Sequence, residues 1–361
     1  MSAKNANEHS YIDALSQLTL NPENSERAYE FVANLSDQER TELLSLADSN
    51  HVIVRALKPL YERAARAKNL QLAAWAENSM TVERARIGNM LEHMERVCQG
   101  LEASGCPTTV MKTLDHWPDI GNDIDMYSTA ADAKIVDVMK QKFNAEIEPR
   151  SWGDRLAHKW NFAIRGLKEP IEIHVRRLGQ TGEHTDLAKR FVSRRQEKTV
   201  DGKTFWVPAP EERLVVATLQ RMYRHFYFRV CDIVNTAALV ESGTINYGEL
   251  KRISSFAGIW PGVATYLMIV SGYVERYRGT GLELPDLVRE GARFGAEKVH
   301  VRGKFIRIPI MPQGAALYTE QVTRTALRGD VPATFRLQLL PPLAVAAAVA
   351  FKLTGSDKGV W

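Results

Sequence analysis

The helical periodicity of the first hundred residues stops at Pro107, and this break constrains the fold more than any other feature of the chain. Ahead of it, Ser36-Asp37-Gln38-Glu39 reads as a capping box, and apolar residues recur at helical spacing from Ile87 to Leu101. Ser104-Gly105 is typical of a helix C-terminus, and a proline cannot continue the helix. The β-branched run Thr108-Thr109-Val110 follows at once. A helical N-terminal region followed by strands predicts an α+β fold.

The segment after the break reads as a small mixed β-sheet flanked by helices. Strand patterns at 108–111, 123–127, 159–164 and 171–175 surround a helix predicted over 128–143. A second helical region is predicted from 211 to about 240, with shorter helices to about 278, then strand character at 299–310 and an alanine-rich helix at 342–353. We therefore predict an N-terminal helical region at 1–105, an α+β core at 106–207, a helical domain at 208–280 and a C-terminal extension of unassigned role at 281–361.

Composition excludes several classes of protein. The 361 residues are 45% hydrophobic and 25% charged, which is unlike a collagen, a disordered tail or a disulfide scaffold. A net charge of +4 does not by itself indicate a nucleic acid or an anionic membrane as partner. The three cysteines form no C-x-x-C pair, and the longest apolar stretch, 13 residues at 339–351, contains two prolines where a membrane span needs roughly 20 apolar residues. With no apolar signal segment at the start, we expect a cytoplasmic protein without a membrane span.

Asp123 and Asp125 are the first candidates for chemistry. Two residues apart on a strand, they would project both carboxylates from one face. Two like charges that close are unfavourable unless a cation lies between them, and Mg²⁺ prefers oxygen ligands that it shares with substrate phosphates. The pair is a weak motif by itself, because turn or solvated aspartates give the same pattern.

The strand Ile171-Glu172-Ile173-His174-Val175 is the second candidate. Alternation puts Glu172 and His174 on one face and the isoleucines on the other. An edge strand with its polar face in water would read the same way. If Glu172 lies beside Asp123 and Asp125, three carboxylates could hold the two cations used for in-line phosphoryl or nucleotidyl displacement.

The ordered set GCPTTVMKT, DIGNDIDMYS, IEIH and PAPEERLVVATLQRMYRHFYFRVCDIVNTAALV resembles the uncharacterised nucleotidyltransferase family of the DNA polymerase beta superfamily. The resemblance covers roughly residues 40–280. It implies that Asp123, Asp125 and Glu172 are the catalytic, metal-binding carboxylates. It also implies that Lys112, Thr113, Asn122 and His174 contact the nucleotide, and that Asp232 corresponds to an aspartate of the helical half, where it braces that half.

The resemblance implies an Mg²⁺-dependent transfer, with Mn²⁺ as an alternative ion, of a nucleoside monophosphate from a triphosphate such as ATP. The acceptor is a hydroxyl of an unidentified small molecule, protein or RNA. Thr113 stands where the family usually has glycine, Asn122 where it has serine, and Gly121 where arginine is frequent. These departures motivate an alternative, a catalytically inactive binding or regulatory protein on the same fold.

A nucleic-acid-binding module is a weaker hypothesis. The stretch 176–203 is rich in Lys and Arg, and 223–229 interleaves aromatic with cationic residues as a nucleic-acid surface would. A solvated basic face and a helix packed on a core predict the same two patterns. Binding to RNA or DNA with a steep salt dependence would distinguish this hypothesis from the others.

Overall fold

The N-terminal region is helical, as the periodicity predicts. The computed structural model describes residues 3–354. Five helices precede the sheet: α1 (Ala3–Leu20), α2 (Glu26–Ala33), α3 (Asp37–Ser49), α4 (Ile53–Arg66) and α5 (Leu70–Ala103). The Ser36–Glu39 capping box begins α3. Helix α5 ends just before Gly105, whose φ of +66° suits a glycine after a helix C-terminus.

A five-stranded sheet forms the centre of the α+β core. Its strands are β1 (Thr108–Val110), β2 (Ile124–Ser128), β3 (Glu146–Ile147), β4 (Lys159–Ala163) and β5 (Ile171–Val175), in the order β1-β2-β5-β4-β3. Strands β2 and β5 are parallel and the other pairs are antiparallel. The crossover between β2 and β5 contains α6 (Asp132–Phe143) and α7 (Trp152–Leu156). The predicted α+β fold with a small mixed sheet flanked by helices is confirmed.

The helical region predicted from 211 to about 240 is interrupted rather than continuous. After α8 (Asp186–Ser193) and the hairpin of β6 (Gln196–Val200) and β7 (Lys203–Val207), α9 spans only Pro210–Thr218. A π-helical segment, Leu219–His225, and the short strand β8 (Tyr227–Phe228) separate it from α10 (Val230–Glu241). Phe226 has a φ of +54°, a left-handed conformation that a helix cannot continue through.

Helices α11 (Tyr247–Phe256) and α12 (Trp260–Arg278) complete the helical half, and the remaining chain folds onto it. It contains α13 (Asp286–Gly291), β9 (His300–Arg302), β10 (Phe305–Arg307), α14 (Ala315–Leu327), α15 (Val331–Gln338) and α16 (Leu340–Thr354). The strand character predicted over 299–310 is a hairpin that turns at Gly303 and pairs with β8. The predicted C-terminal helix is α16.

Two hydrophobic cores hold these elements. One joins apolar residues of α1 to α4 with those of α9 to α12, and the other lies between the sheet, α5 and α6. The N-terminal helices therefore pack on the helical half, while α5 supports the sheet. The four-part division into domains stays a prediction. Among residues 3–354, no helix combines the length and the apolar composition that a membrane span requires.

Candidate functional site

Asp125 and Glu172 lie side by side on the two parallel strands of the sheet. Their Cα atoms are register partners, so their side chains project from the same face. His174 follows two residues later on β5 and shares that face. One ligand atom from each of these three residues lies within 4.8 Å of the others, which is a spacing that one metal ion can bridge.

Asp123 lies next to this group rather than on the strand. The prediction placed Asp123 at the start of a strand over 123–127, but strand β2 begins at Ile124, so Asp123 occupies the bend just before it. It is half-buried and lines the same pocket as Asp125 and Glu172, together with the exposed Asn122. The bend is held from α5 by Arg86, whose guanidinium donates to the carbonyls of Ile120 (2.9 Å) and Gly121 (3.2 Å).

Each of the two strand carboxylates has a lysine as its counter-ion. The Nζ of Lys112 lies 2.8 Å from Oδ2 of Asp125. The Nζ of Lys159 on β4 lies 2.9 Å from Oε2 of Glu172 and 2.7 Å from Oδ1 of Asp154. The resemblance identifies Lys112 but not Lys159, because a lysine within a strand pattern gives no signal of what it faces.

These surroundings shift the pKa values of Asp125 and Glu172 in opposite directions. Burial raises the pKa of Asp125 to about 8; the charge of Lys112 opposes the shift, while Asp123 and Glu172 add to it. Burial alone would also raise the pKa of Glu172, but the hydrogen bond from His174 and the charge of Lys159 hold that pKa well below its ordinary value. One carboxyl is thus disposed to hold a proton and the other to stay ionised, a separation common at functional sites.

His174 is a neutral imidazole, and only one of its two ring nitrogens forms a hydrogen bond among the described residues. Burial lowers its pKa, although the hydrogen bond to Glu172 opposes that shift. Nε2 lies 2.8 Å from Oε1 of Glu172, and because the carboxylate accepts, the ring proton sits on Nε2. Nδ1 is therefore an acceptor; it is buried and has no hydrogen-bond partner among the described residues.

Thr113 supports the strand that carries Asp125. Its hydroxyl accepts a hydrogen bond from the backbone N–H of Asp125 at 2.9 Å, while Met111 N–H donates to the carbonyl of Asp125 at 2.8 Å. Between them, Lys112 has a φ of +47°, so the chain turns sharply and aims the lysine at the carboxylates. The threonine hydroxyl is thereby engaged with the protein backbone, and its contact with a nucleotide stays a prediction.

A pocket of about 240 Å³ lies in front of the carboxylates, and its far wall is cationic. That wall comes from the π-helical segment and β8, with two histidines from elsewhere in the chain; it comprises Gln220, Arg221, Arg224, His225, Tyr227, Arg229, His51 and His116. Three carboxylates therefore face four cations once Lys112 is included. In the sequence, this wall is indicated by the alternation of aromatic and cationic residues at 223–229, a pattern equally typical of a helix packed on a core.

The arginines make this wall electropositive. Arg221 is only 1% exposed, pairs with Asp232 at 2.7 Å, and has an Nη1 without a hydrogen-bond partner in the part of the chain that the structure covers. Burial, together with the charges of Arg229 and Arg221, lowers the pKa of His51 to about 2. Asp232 also accepts from Arg229 N–H at 2.7 Å, so it braces the helical half as the resemblance implies.

The acidic group suits a divalent cation. Oδ1 of Asp125 is buried and, counting residues 3–354, accepts no hydrogen bond, so a ligand atom is left for an ion. Carboxylate oxygens suit both Mg²⁺ and Mn²⁺. The residues therefore fit a divalent metal, although Lys112 and Lys159 already neutralise part of the negative charge.

Comparison with known proteins adds little to this geometry. No protein-family model matches the chain, and no curated protein matches it. Among solved structures, the chain is similar to an antigenic nucleotidyltransferase-like protein from Paracoccidioides brasiliensis, with 14% sequence identity and a TM-score of 0.31. The alignment covers 50% of this chain and 92% of that chain. This is a distant likeness in fold, and it carries no conclusion about chemistry.

Proposed function

We propose that this protein is a divalent-metal-dependent nucleotidyltransferase that moves a nucleoside monophosphate from a triphosphate to a hydroxyl group. The observation that carries the proposal is the pocket in which Asp125 and Glu172, on paired parallel strands, face a wall of arginines. Nucleotidyl transfer needs carboxylates that hold Mg²⁺ or Mn²⁺. It also needs cations that bind a polyphosphate.

In this proposal the α+β core supplies the metal ligands and the helical half supplies the phosphate contacts. Asp123, Asp125 and Glu172 would hold the metal, which neutralises phosphate charge and lowers the pKa of the acceptor hydroxyl. Arg224 and Arg229 bind the triphosphate from the opposite wall. The acceptor oxygen forms a bond to the α-phosphorus, the bond from that phosphorus to the bridging oxygen breaks, pyrophosphate leaves with the electron pair, and the hydroxyl proton passes to solvent.

Three further residues have supporting roles in the proposal. His174 orients Glu172 through its Nε2 hydrogen bond. Lys112, which contacts Asp125 in the metal-free chain, turns to the phosphates when nucleotide binds. Asn122, exposed at the rim of the pocket, contacts the nucleotide.

Calorimetric titration of each nucleoside triphosphate, with and without Mg²⁺ or Mn²⁺, tests the proposal. We expect binding that requires the metal and that Asp125→Asn abolishes, because the variant keeps the shape of the side chain but not its charge. Asp137→Asn, an exposed carboxylate on α6, is the matched control and should bind as wild type does. Arg224→Gln should weaken triphosphate binding at least tenfold, whereas the exposed Arg165→Gln should not.

One observation favours the inactive binding or regulatory protein as a second candidate. Both strand carboxylates already have lysine counter-ions, so a lysine offsets the charge of each without a metal. This candidate predicts that neither wild type nor Asp125→Asn binds a triphosphate in a metal-dependent way. The same titration therefore decides between the two functions.

A further inference from the structure

A second cavity, of about 60 Å³, adjoins the pocket that holds the carboxylates. Lys112, Gln220 and Arg224 line both cavities, so the two meet along this shared wall. The remaining wall of the second cavity is mostly apolar and includes Met111, Leu178, Val216, Leu219 and Leu340. A ligand group seated there would reach the carboxylates past Lys112.

Three buried polar atoms on residues lining this apolar cavity lack partners among the described residues. Two are acceptors: His174 Nδ1, whose Nε2 is engaged with Glu172, and Oε1 of Gln180. The third is the hydroxyl of Tyr223, which can donate as well as accept. An unpaired buried acceptor is costly, so the complement of this cavity is a group that donates hydrogen bonds, an O–H or an N–H.

The size of the cavity limits that group. An apolar cavity that takes up benzene measures about 150 Å³, more than twice the second cavity. A nucleobase is larger than benzene, so it fits the 240 Å³ pocket and not this one. A short aliphatic stem with one polar end is the group that matches both the volume and the lining.

The C-terminal extension forms part of the wall of this cavity. Leu340 of α16 and Gln321 of α14 contribute to its wall. Arg336 on α15 donates to the carbonyl of Thr181 at 2.6 Å, in the loop that carries Gln180. That loop depends on Gly179, whose φ is +93°. The hydrogen bond from Arg336 therefore joins the C-terminal extension to the loop that carries Gln180, and both contribute to the wall of the cavity.

We propose that the 60 Å³ cavity is the acceptor subsite, and that it takes the hydroxyl-bearing end of a small aliphatic alcohol. The hydroxyl donates to His174 Nδ1 or Gln180 Oε1, the apolar wall packs on the stem, and the C-terminal extension selects for size. The transfer itself rests on the proposed function, with the alcohol oxygen as the atom that attacks the α-phosphorus. The extension thereby acquires a role in acceptor recognition.

Binding of two small isomeric probes, ethanol and dimethyl ether, tests the subsite in the full-length protein without any nucleotide. The two molecules have the same atoms, but only the alcohol donates a hydrogen bond. In protein labelled with ¹³C at the methionine methyl groups, we expect the alcohol to shift the Met111 resonance at millimolar concentration. Met139, in the core beside the sheet, is the internal control and should not shift. The ether should bind at least tenfold more weakly, and equal binding of the two probes, or no shift with either, would overturn the proposal.

Two variants locate the binding. Val216→Phe fills the cavity and should abolish the Met111 shift with both probes. Gln180→Leu removes one acceptor from a loop and should reduce the preference for alcohol from tenfold to about threefold. An unchanged preference in Gln180→Leu, or an unchanged Met111 shift in Val216→Phe, contradicts the proposal. N-acetylthreonine N-methylamide distinguishes the source of the alcohol: binding as tight as that of ethanol indicates a threonine side chain of a polypeptide, and weaker binding indicates a free small alcohol.

The same proteins separate this inference from the proposed function. Val216 does not line the larger pocket, so Val216→Phe should bind triphosphate as wild type does but lose transfer to the alcohol. Alcohol selectivity without any triphosphate binding would refute the transferase and leave an alcohol-binding cavity. Triphosphate binding without alcohol selectivity would refute the subsite alone.

Discussion

Replacing Asp125 with asparagine should make the metal-free protein more stable, and increasingly so as the pH rises. Because burial raises the pKa of Asp125 to about 8, the folded protein holds this proton more tightly than the unfolded chain does. The protonated carboxyl therefore favours folding, and that contribution is complete below pH ~4 and lost as the pH rises through about 8. Asparagine does not ionise, so the variant escapes this loss.

The size of this difference in stability between wild type and Asp125→Asn follows from the pKa of Asp125. Each unit of difference between the folded pKa of about 8 and the ordinary 3.8 corresponds to about 1.36 kcal/mol. Between pH 5 and pH 8, wild type should thus lose up to about 4 kcal/mol relative to the variant. Since water in the adjoining pocket screens the ionised carboxylate, we expect about half of this, or roughly 4 °C in Tm.

The assay is thermal melting in EDTA at pH 5, 6, 7 and 8, followed by intrinsic tryptophan fluorescence. Asp137→Asn should melt with wild type at every pH, because this carboxylate is exposed. Addition of Mg²⁺ or Mn²⁺ should then raise the Tm of wild type but not of Asp125→Asn. An Asp125→Asn protein that melts below wild type at pH 8, or a difference that stays constant across the pH range, would refute the reasoning.

Three further predictions concern the groups around the carboxylates. Lys112→Met should raise the affinity of the nucleotide-free protein for Mn²⁺ at least tenfold, because the lysine charge competes with the ion for Asp125; equal affinities by calorimetry would contradict this. Lys159→Met should cost about 3–5 kcal/mol in urea denaturation, because it leaves two buried carboxylates without their shared counter-ion, and a loss under about 1 kcal/mol would speak against the pairing. Asp119→Ala should cost about 1–3 kcal/mol, measured by the same denaturation, since the Asp119 carboxylate accepts from two backbone N–H groups in the first turn of α4; an unchanged midpoint would exclude that role.

Local patterns predicted the carboxylate side of the site well. Strand β5 has the predicted bounds, and β2 differs from its prediction by one residue at each end, because alternating apolar residues are a short-range signal. That Asp125 and Glu172 are register partners does not follow from either strand alone. The resemblance to the nucleotidyltransferase family predicted that these two residues lie close together. The parallel pairing of β2 with β5 explains why they do.

Local sequence patterns did not predict the cationic wall of the pocket. Arg221 and Arg229 read as part of a continuous helix, and only the left-handed turn at Phe226 directs this segment across the pocket. Lys159 lies on a strand whose other residues indicate only a core. These residues acquire their roles through contacts with segments distant in sequence, which periodicity cannot report.

The pairing of β2 with β5 has a consequence for how this protein can be refolded. Side chains alternate between the two faces of a sheet, so a slip of one residue between these strands would send Glu172 to the face opposite Asp125. Ile171, Ile173 and Val175 would also leave their core, but the overall helix content would survive such an error, and circular dichroism would miss it. A divalent-ion titration of refolded material would instead count only the molecules whose strands have aligned correctly, which makes ion uptake a measure of folding fidelity.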